Sequence, residues 1–321
     1  MIDFDFQDYR NFIFGVVPKN HLARHKRFVF TLWGEELIFF WNDGDVRCYK
    51  NICNHLAFSL SEGKLSDGHI TCQFHGWKYE LSDGALVHAP YTKKLPRCRL
   101  NRYRAFVKNG IVFVYAGDDE YFENAKNFIF EDIAEDQASV EVEYEVPFYL
   151  ALNASMDYAH FAHHKFFYPI YSIYRWVFFS KNIMLTTFTP IMIEETEAYF
   201  RYKIVETDCE VTVYPFCIQV RDLLSKNEWQ IFVVPISKTK TRYIHTLKSH
   251  SKNKLFNMFS YLFFNVVNRY SAIPDDKKWL KTMYNNIKAG NKHRLCDHDF
   301  ALKKYLGKFM VRKNIDHGLR S

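Results

Sequence analysis

Between residues 27 and 50 apolar and polar side chains alternate in three short runs, RFVFTLW, ELIFFW and DVRCYK, parted by Gly34 and by Asn-Asp-Gly. Period-two patterning bounded by turn residues predicts three strands. Further short strands are predicted at 69–72, 77–81 and 111–115, with Ser-Asp-Gly turns at 66–68 and 82–84. Residues up to about Gly117 therefore read as a small all-β unit. The segment 118–137 is rich in acidic residues and Asn and lacks alternation, which puts a junction near its start and divides the chain into units 1–118 and 119–321. Beyond it SVEVEYEV alternates, and AYFRYKIVE, EVTVYPFCIQV, EWQIFVVPI and TRYIHTL predict four more strands. Helical spacing is expected at 151–165, at 253–269 and from about Asp275 onward, so the second unit is α+β.

At 321 residues the chain can bury two cores without staples. Phe and Tyr number 31 and 21, enough to expect a large packed interior with aromatic walls. The net charge of +7 suits an acidic partner but, with no Lys/Arg run, gives no nucleic-acid footprint. Seven scattered cysteines do not make the framework of a small secreted domain, and MIDFDFQDYR lacks the layout of a signal peptide. The apolar stretches 171–186 and 255–267 are broken by Arg175 and Lys181 or by Asn257 and Asn265. Neither reaches the roughly 20 residues of a membrane span. A cytoplasmic protein is expected.

Cys53-Asn-His55 is followed after sixteen residues by Cys72-Gln-Phe-His75. Each pair lies in a turn-rich loop of the β unit and offers one thiolate and one imidazole. Zinc fingers usually pair Cys with Cys and His with His along the chain, whereas a [2Fe-2S] cluster can hold one iron by two thiolates and the other by two imidazoles. Replacing two thiolates by neutral imidazoles removes negative charge and raises the reduction potential. The arrangement resembles that of Rieske proteins, as do Leu60-Ser61-x-Gly63 between the loops and Gly76-Trp77 after the second. Respiratory Rieske subunits carry an extra Cys in each loop. Phe58 and Phe74 stand there instead, which matches the oxygenase and ferredoxin type.

A second constellation runs Asn153-x3-Asp157-x2-His160-x2-His163-His164. On one helix, spacings of three and four place Asn153, Asp157, His160 and either His163 or His164 on a common face. Two imidazoles and a carboxylate on one face of Fe(II) leave positions for O2 and substrate. The run resembles the mononuclear-iron helix of Rieske oxygenases, N-x3-D-x2-H-x4-H, through Asn153, Asp157 and His160. The family's second His falls on Lys165, so this chain is one residue short; His164, one turn after His160, is preferred, with His163 the alternative. The resemblance implies a third ligand from a late helix, at Asp276 or Asp275 in Pro-Asp-Asp-Lys-Lys-Trp. Otherwise these acids only stabilise a helix start. It further implies that Asp157 links His160 to His75 of a neighbouring copy in a homotrimer, with a helix-grip, StAR-like catalytic domain of antiparallel sheet and flanking helices. The activity implied is O2-dependent hydroxylation or demethylation of a small organic substrate. Because no G-x-G-x-x-G occurs, NAD(P)H would be oxidised by a separate reductase or ferredoxin pair. The competing expectation is a Rieske electron carrier whose second domain binds a partner and holds no iron. Phe161, Phe166, Phe167 and Tyr168 are read as pocket or core residues.

Overall fold

The computed structural model describes residues 9–108, 110–129, 138–157, 160, 163–164, 167–179, 189–291 and 299–310, with only the backbone of 167 and 168. Phe161, Phe166 and the side chains of Phe167 and Tyr168 lie outside the described residues.

The first unit holds two antiparallel sheets. The larger comprises β1 (Ile13–Pro18), β2 (Arg27–Leu32), β3 (Glu35–Asn42), β4 (Asp45–Lys50), β9 (Arg102–Lys108) and β10 (Ile111–Tyr115), in the order β1-β10-β9-β4-β3-β2. The three opening runs fall on β2, β3 and β4, with two-residue turns at the expected glycines. The smaller sheet, β5 (Lys64–Ser66), β6 (His69–Thr71), β7 (Lys78–Glu80) and β8 (Leu86–His88), carries both Cys/His loops at one end. Sequence patterning had marked no strand at β1, β5, β8 or β9. The first is buried on both faces and so does not alternate.

The second unit is built on a seven-stranded antiparallel sheet ordered β11-β17-β16-β15-β14-β13-β12. Its strands are β11 (Ala138–Tyr144), β12 (Pro190–Glu195), β13 (Phe200–Ile204), β14 (Cys209–Val213), β15 (Cys217–Asp222), β16 (Asn227–Ser237) and β17 (Lys240–Ser249). The run EVTVYPFCIQV, expected as one strand, is two. Pro215 supplies no amide for a ladder, and Tyr214 N donates to Cys217 O at 2.9 Å to close a turn.

Helices α1 (Lys19–His25), α2 (Phe122–Ala125), α3 (Phe148–Met156), α4 (Phe167–Phe179), α5 (Lys254–Val267), α6 (Ile273–Lys288) and α7 (Phe300–Tyr305) complete the described fold. A π-helical turn, Asn268–Ala272, joins α5 to α6. The single helix expected over 151–165 does not form as such. Helix α3 stops at Met156, and Asp157 caps it at φ −85°, ψ 89°, outside helical space. Its amide still bonds Asn153 O at 2.9 Å, so the chain leaves the helix in a turn. Helix α4 was read in the sequence only as an apolar stretch too short to span a membrane. No described helix is long and apolar enough to cross one.

The two units share one core. Trp33 N and Gly34 N, in the β2–β3 turn, donate to Pro235 O and Ile236 O of β16 at 3.2 and 2.9 Å. On β1, a Cβ at Gly15 would stand 2.8 Å from Phe232 Cδ1 and 3.1 Å from Phe113 Cε1, so glycine here lets strand and ring close together. We expect Gly15→Ala to lower the unfolding free energy by about 1–3 kcal/mol through overpacking, read from its urea midpoint.

Candidate metal centres

The loop after β4 and the loop between β6 and β7 bring Cys53, His55, Cys72 and His75 to the tip of the first unit. The two cysteines are buried, His55 is exposed and His75 half-buried. The imidazole rings meet at 4.6 Å between centroids, and His55 stacks on Trp77 at 4.7 Å. Gly76 turns the second loop at φ +71°, with Pro90 3.1 Å from where a Cβ would sit, which explains Gly-Trp after His75. Tyr79 OH accepts from Asn54 N at 3.1 Å, so its own proton points to Cys53 Sγ at 3.2 Å. Tyr79 is a site residue that sequence reading missed. Its alternation with Trp77 on one strand face was the available signal. Burial raises the Cys72 pKa, against the amides of Phe74 and His75 but with the nearby Cys53 thiol adding to it. Two thiolates crowded in this way need cations between them, while amides and a hydroxyl aimed at sulfur are the contacts by which a protein adjusts a cluster's potential. The donor set fits a [2Fe-2S] cluster, with the sulfurs inside and the imidazole edges at the surface.

The second constellation lies under the seven-stranded sheet. His160 Nε2 and His164 Nε2 stand 3.4 and 3.5 Å from the same atom, Asp276 Oδ1. One donor atom from each of the three lies within 4.8 Å of the others. Two imidazole nitrogens and a carboxylate oxygen gathered this closely are a donor set that fits a single Fe(II). His160 Nδ1 bonds the Asp157 carbonyl, which can only accept, so the proton is on Nδ1 and the Nε2 lone pair faces Asp276. His164 Nδ1 does the same with Asp275 Oδ2 at 3.4 Å, and its ring stacks on Trp279 at 4.8 Å. Burial acts against the charged form of His160, but the nearby Asp276, joined by Asp157, favours it and leaves its pKa raised. For His164 burial prevails and the pKa is lowered.

The structure thus brings His160, His164 and Asp276 together. His163 is exposed, and Asp275 reaches the ring of His164 from its far side. Asp157 remains beside His160, its carboxylate 4.0 Å from Nδ1 and partly exposed. Asn153 lies a turn earlier on α3 and contributes its backbone carbonyl. The two imidazoles come from the segment after α3 and the carboxylate from the first turn of α6.

Asp276 also lines an apolar cavity of roughly 1250 Å3, counting its open mouth, walled by Tyr171, Tyr174, Trp229, Phe263 and Val267 among others. Its lining surface is mostly apolar, with polar side chains set among it. One is His245, whose Nδ1 meets Asn268 Oδ1 at 3.1 Å. The Asn268 amide is oriented by donating to Phe264 O at 2.7 Å, so His245 donates through Nδ1. Burial pushes the His245 pKa down to about 4, against the Asn268 bond and the Asp276 charge. An unfolded His titrates near 6.5, so the unfolded chain binds more protons between pH 4 and 6.5. The neutral ring then favours folding by up to roughly 3 kcal/mol above pH 6.5, a contribution lost as pH falls toward 4. His245→Gln should flatten the urea midpoint across that window.

Residues 13–103 match the Rieske [2Fe-2S] domain family. The first unit is a Rieske domain. Chlorophyllide a oxygenase of Oryza sativa subsp. japonica is 36% identical over 83 residues, 26% of this chain and 15% of that protein. The terminal oxygenase component of carbazole 1,9a-dioxygenase from Metapseudomonas resinovorans is 30% identical over 118 residues, 35% of this chain and 30% of that protein. These alignments span less than a third of either relative. The fold likeness runs further. The terminal oxygenase of carbazole 1,9a-dioxygenase from Nocardioides aromaticivorans IC177 superposes with a TM-score of 0.73 at 19% identity, over 97% of this chain and 95% of that one. Dicamba monooxygenase bound to dicamba gives 0.75 at 13% identity, over 97% of both chains. The chain as a whole has the fold of a Rieske non-haem iron oxygenase alpha subunit, its Rieske domain followed by the sheet-rich domain of those enzymes.

Proposed function

We propose that this chain is a terminal oxygenase component that uses O2 to hydroxylate or oxidatively demethylate a small organic substrate. One observation carries the reading: Asp276 belongs both to the three-donor cluster and to the wall of the apolar cavity. In this reading Cys53, His55, Cys72 and His75 hold the [2Fe-2S] cluster, and His160, His164 and Asp276 hold Fe(II). When bound, the cluster supplies single electrons and the Fe(II) supplies activation of O2.

The chain's own residues position and insulate. Asp157 O and Asp275 fix the two imidazole tautomers, so both rings present lone pairs to one point. The aromatic cavity wall excludes water and holds an apolar substrate beside that point. In this reading the partly exposed Asp157 carboxylate joins His160 to His75 of a neighbouring copy in a homotrimer. Asn153 holds the turn that aims Asp157. The units 1–118 and 119–321 are then the electron-transfer and catalytic domains of a cytoplasmic enzyme. Electrons reach it from NAD(P)H through a separate reductase or ferredoxin. The carbazole oxygenase has been solved in complex with a ferredoxin, and here the exposed His55 edge lies beside the exposed Leu56 and Phe74, a surface on which such a donor fits.

Iron and acid-labile sulfide counting tests the reading. About three irons and two sulfides per chain, with O2 uptake on adding reductase and substrate, support the oxygenase. Two irons and no uptake would establish the electron carrier instead.

A further inference from the structure

Helices α4 and α5 separate the cavity from the exterior, and each presents apolar residues on both sides. On α5 the inner face, Ser260, Phe263, Phe264 and Val267, lines the cavity. The outer face carries Leu255, Met258, Phe259, Leu262 and Val266, with Leu255 72%, Met258 64% and Leu262 59% exposed. On α4, Tyr171 and Tyr174 face inward, while Ile173, Trp176, Val177 and Phe178 face out, Trp176 being 60% exposed. The outer faces join where Phe178 meets Phe259 at 5.4 Å between centroids. A soluble helix normally shows polar residues opposite its buried stripe, and a continuous apolar patch of this kind marks a surface that is covered in use.

Charge identifies the cover. The outer stripe of α5 starts at exposed Lys254, beside exposed Lys252, and ends at exposed Arg269 in the π-helical turn. The sequence has no Asp or Glu from residue 229 to 274, nor from 158 to 193. The one basic residue on α4, Arg175, is turned inward onto Asp222 Oδ2 at 2.8 Å, so the described exposed side chains of that helix are apolar. A second copy pairing with this face through the same face would bring like charges together. An anionic lipid surface would neutralise them. Lys and Arg at the two ends of a helix lying flat can reach headgroup phosphates while the residues between them enter the acyl region, with Trp176 and Tyr270 at the boundary.

We propose that the outer faces of α4 and α5 dock on an anionic lipid surface. For its consequence alone the proposal rests on the oxygenase reading: the substrate would be an apolar, membrane-dissolved molecule that reaches the cavity past these helices. Docking itself requires neither iron nor turnover, so the two readings fail separately.

The full chain is incubated with phosphatidylcholine vesicles, with and without phosphatidylglycerol, and sedimented. Co-sedimentation with the anionic vesicles is expected. Lys252→Gln with Lys254→Gln should lower the partition coefficient by roughly thirtyfold, and Met258→Asp with Leu262→Asp should abolish binding. Circular dichroism should be unchanged in both, since all four side chains are exposed or at the helix edge. A chain that stays in the supernatant with anionic vesicles overturns the proposal. So does binding that survives Met258→Asp with Leu262→Asp. Sedimentation velocity showing a self-association that the same variant dissolves overturns it in favour of an interface between copies.

Discussion

Asp276→Asn is expected to leave about two irons per chain instead of three, with labile sulfide and the visible cluster spectrum unchanged. The reason is that Asp276 Oδ1 is, among the described residues, the carboxylate oxygen within 3.5 Å of both Nε2 atoms. An amide in its place keeps the shape but loses the negative charge that offsets Fe(II). Substrate-dependent O2 uptake should fall by at least about a hundredfold, at or beyond the upper end of the range for losing an outer partner of a metal ligand. Asp275→Asn provides the contrast. Asp275 touches His164 through Nδ1, so its loss should weaken iron binding by about 10- to 100-fold, with saturating iron restoring activity. If Asp275→Asn abolished the third iron and Asp276→Asn merely weakened it, the two acids would have exchanged roles.

Cys72→Ser should have the opposite signature. Visible absorption and labile sulfide disappear while about one iron per chain remains at the His160, His164 and Asp276 cluster, because the two centres share no side chain. O2 uptake should be lost as completely as with Asp276→Asn, since the electron path begins at the cluster. His55→Cys asks a finer question of the same loops. A variant that still assembles a cluster should have its midpoint lowered by a few hundred millivolts, because an anionic thiolate replaces a neutral imidazole. An unchanged midpoint would mean that His55 is not a ligand.

These two pairs of variants separate centres that were unequally visible in the chain. The proposed Rieske ligands lie in two short loops, each set by turn residues next to its Cys and His, so spacing alone nearly defines the candidate donor set. The second centre was legible only in part. Helical spacing grouped Asp157 with His160 and either His163 or His164, yet helix α3 ends at Met156, Asp157 leaves helical space, and His163 and His164 lie in a turn and a bend. Which His faces inward is decided by tertiary packing: His164 is fully buried against Trp279 of α6, and His163 is exposed. Periodicity cannot foresee such a break, since it measures the order of side chains and not where the backbone leaves the helix.

By itself the sequence determined the hairpins of the first unit and most strands of the second, and it put forward the four cluster donors, because all of these depend on residues close together along the chain. Tertiary structure decided what depends on distant segments meeting. It split residues 209–222 at Pro215, closed β1 against β16 through the missing side chain of Gly15, and turned Asp276 and Asp275 to opposite sides of His164. It also sorted the apolar residues of α4 and α5 into a cavity wall and an exposed surface. Both sets are rich in apolar and aromatic residues, and only the fold places one inside and leaves the other exposed.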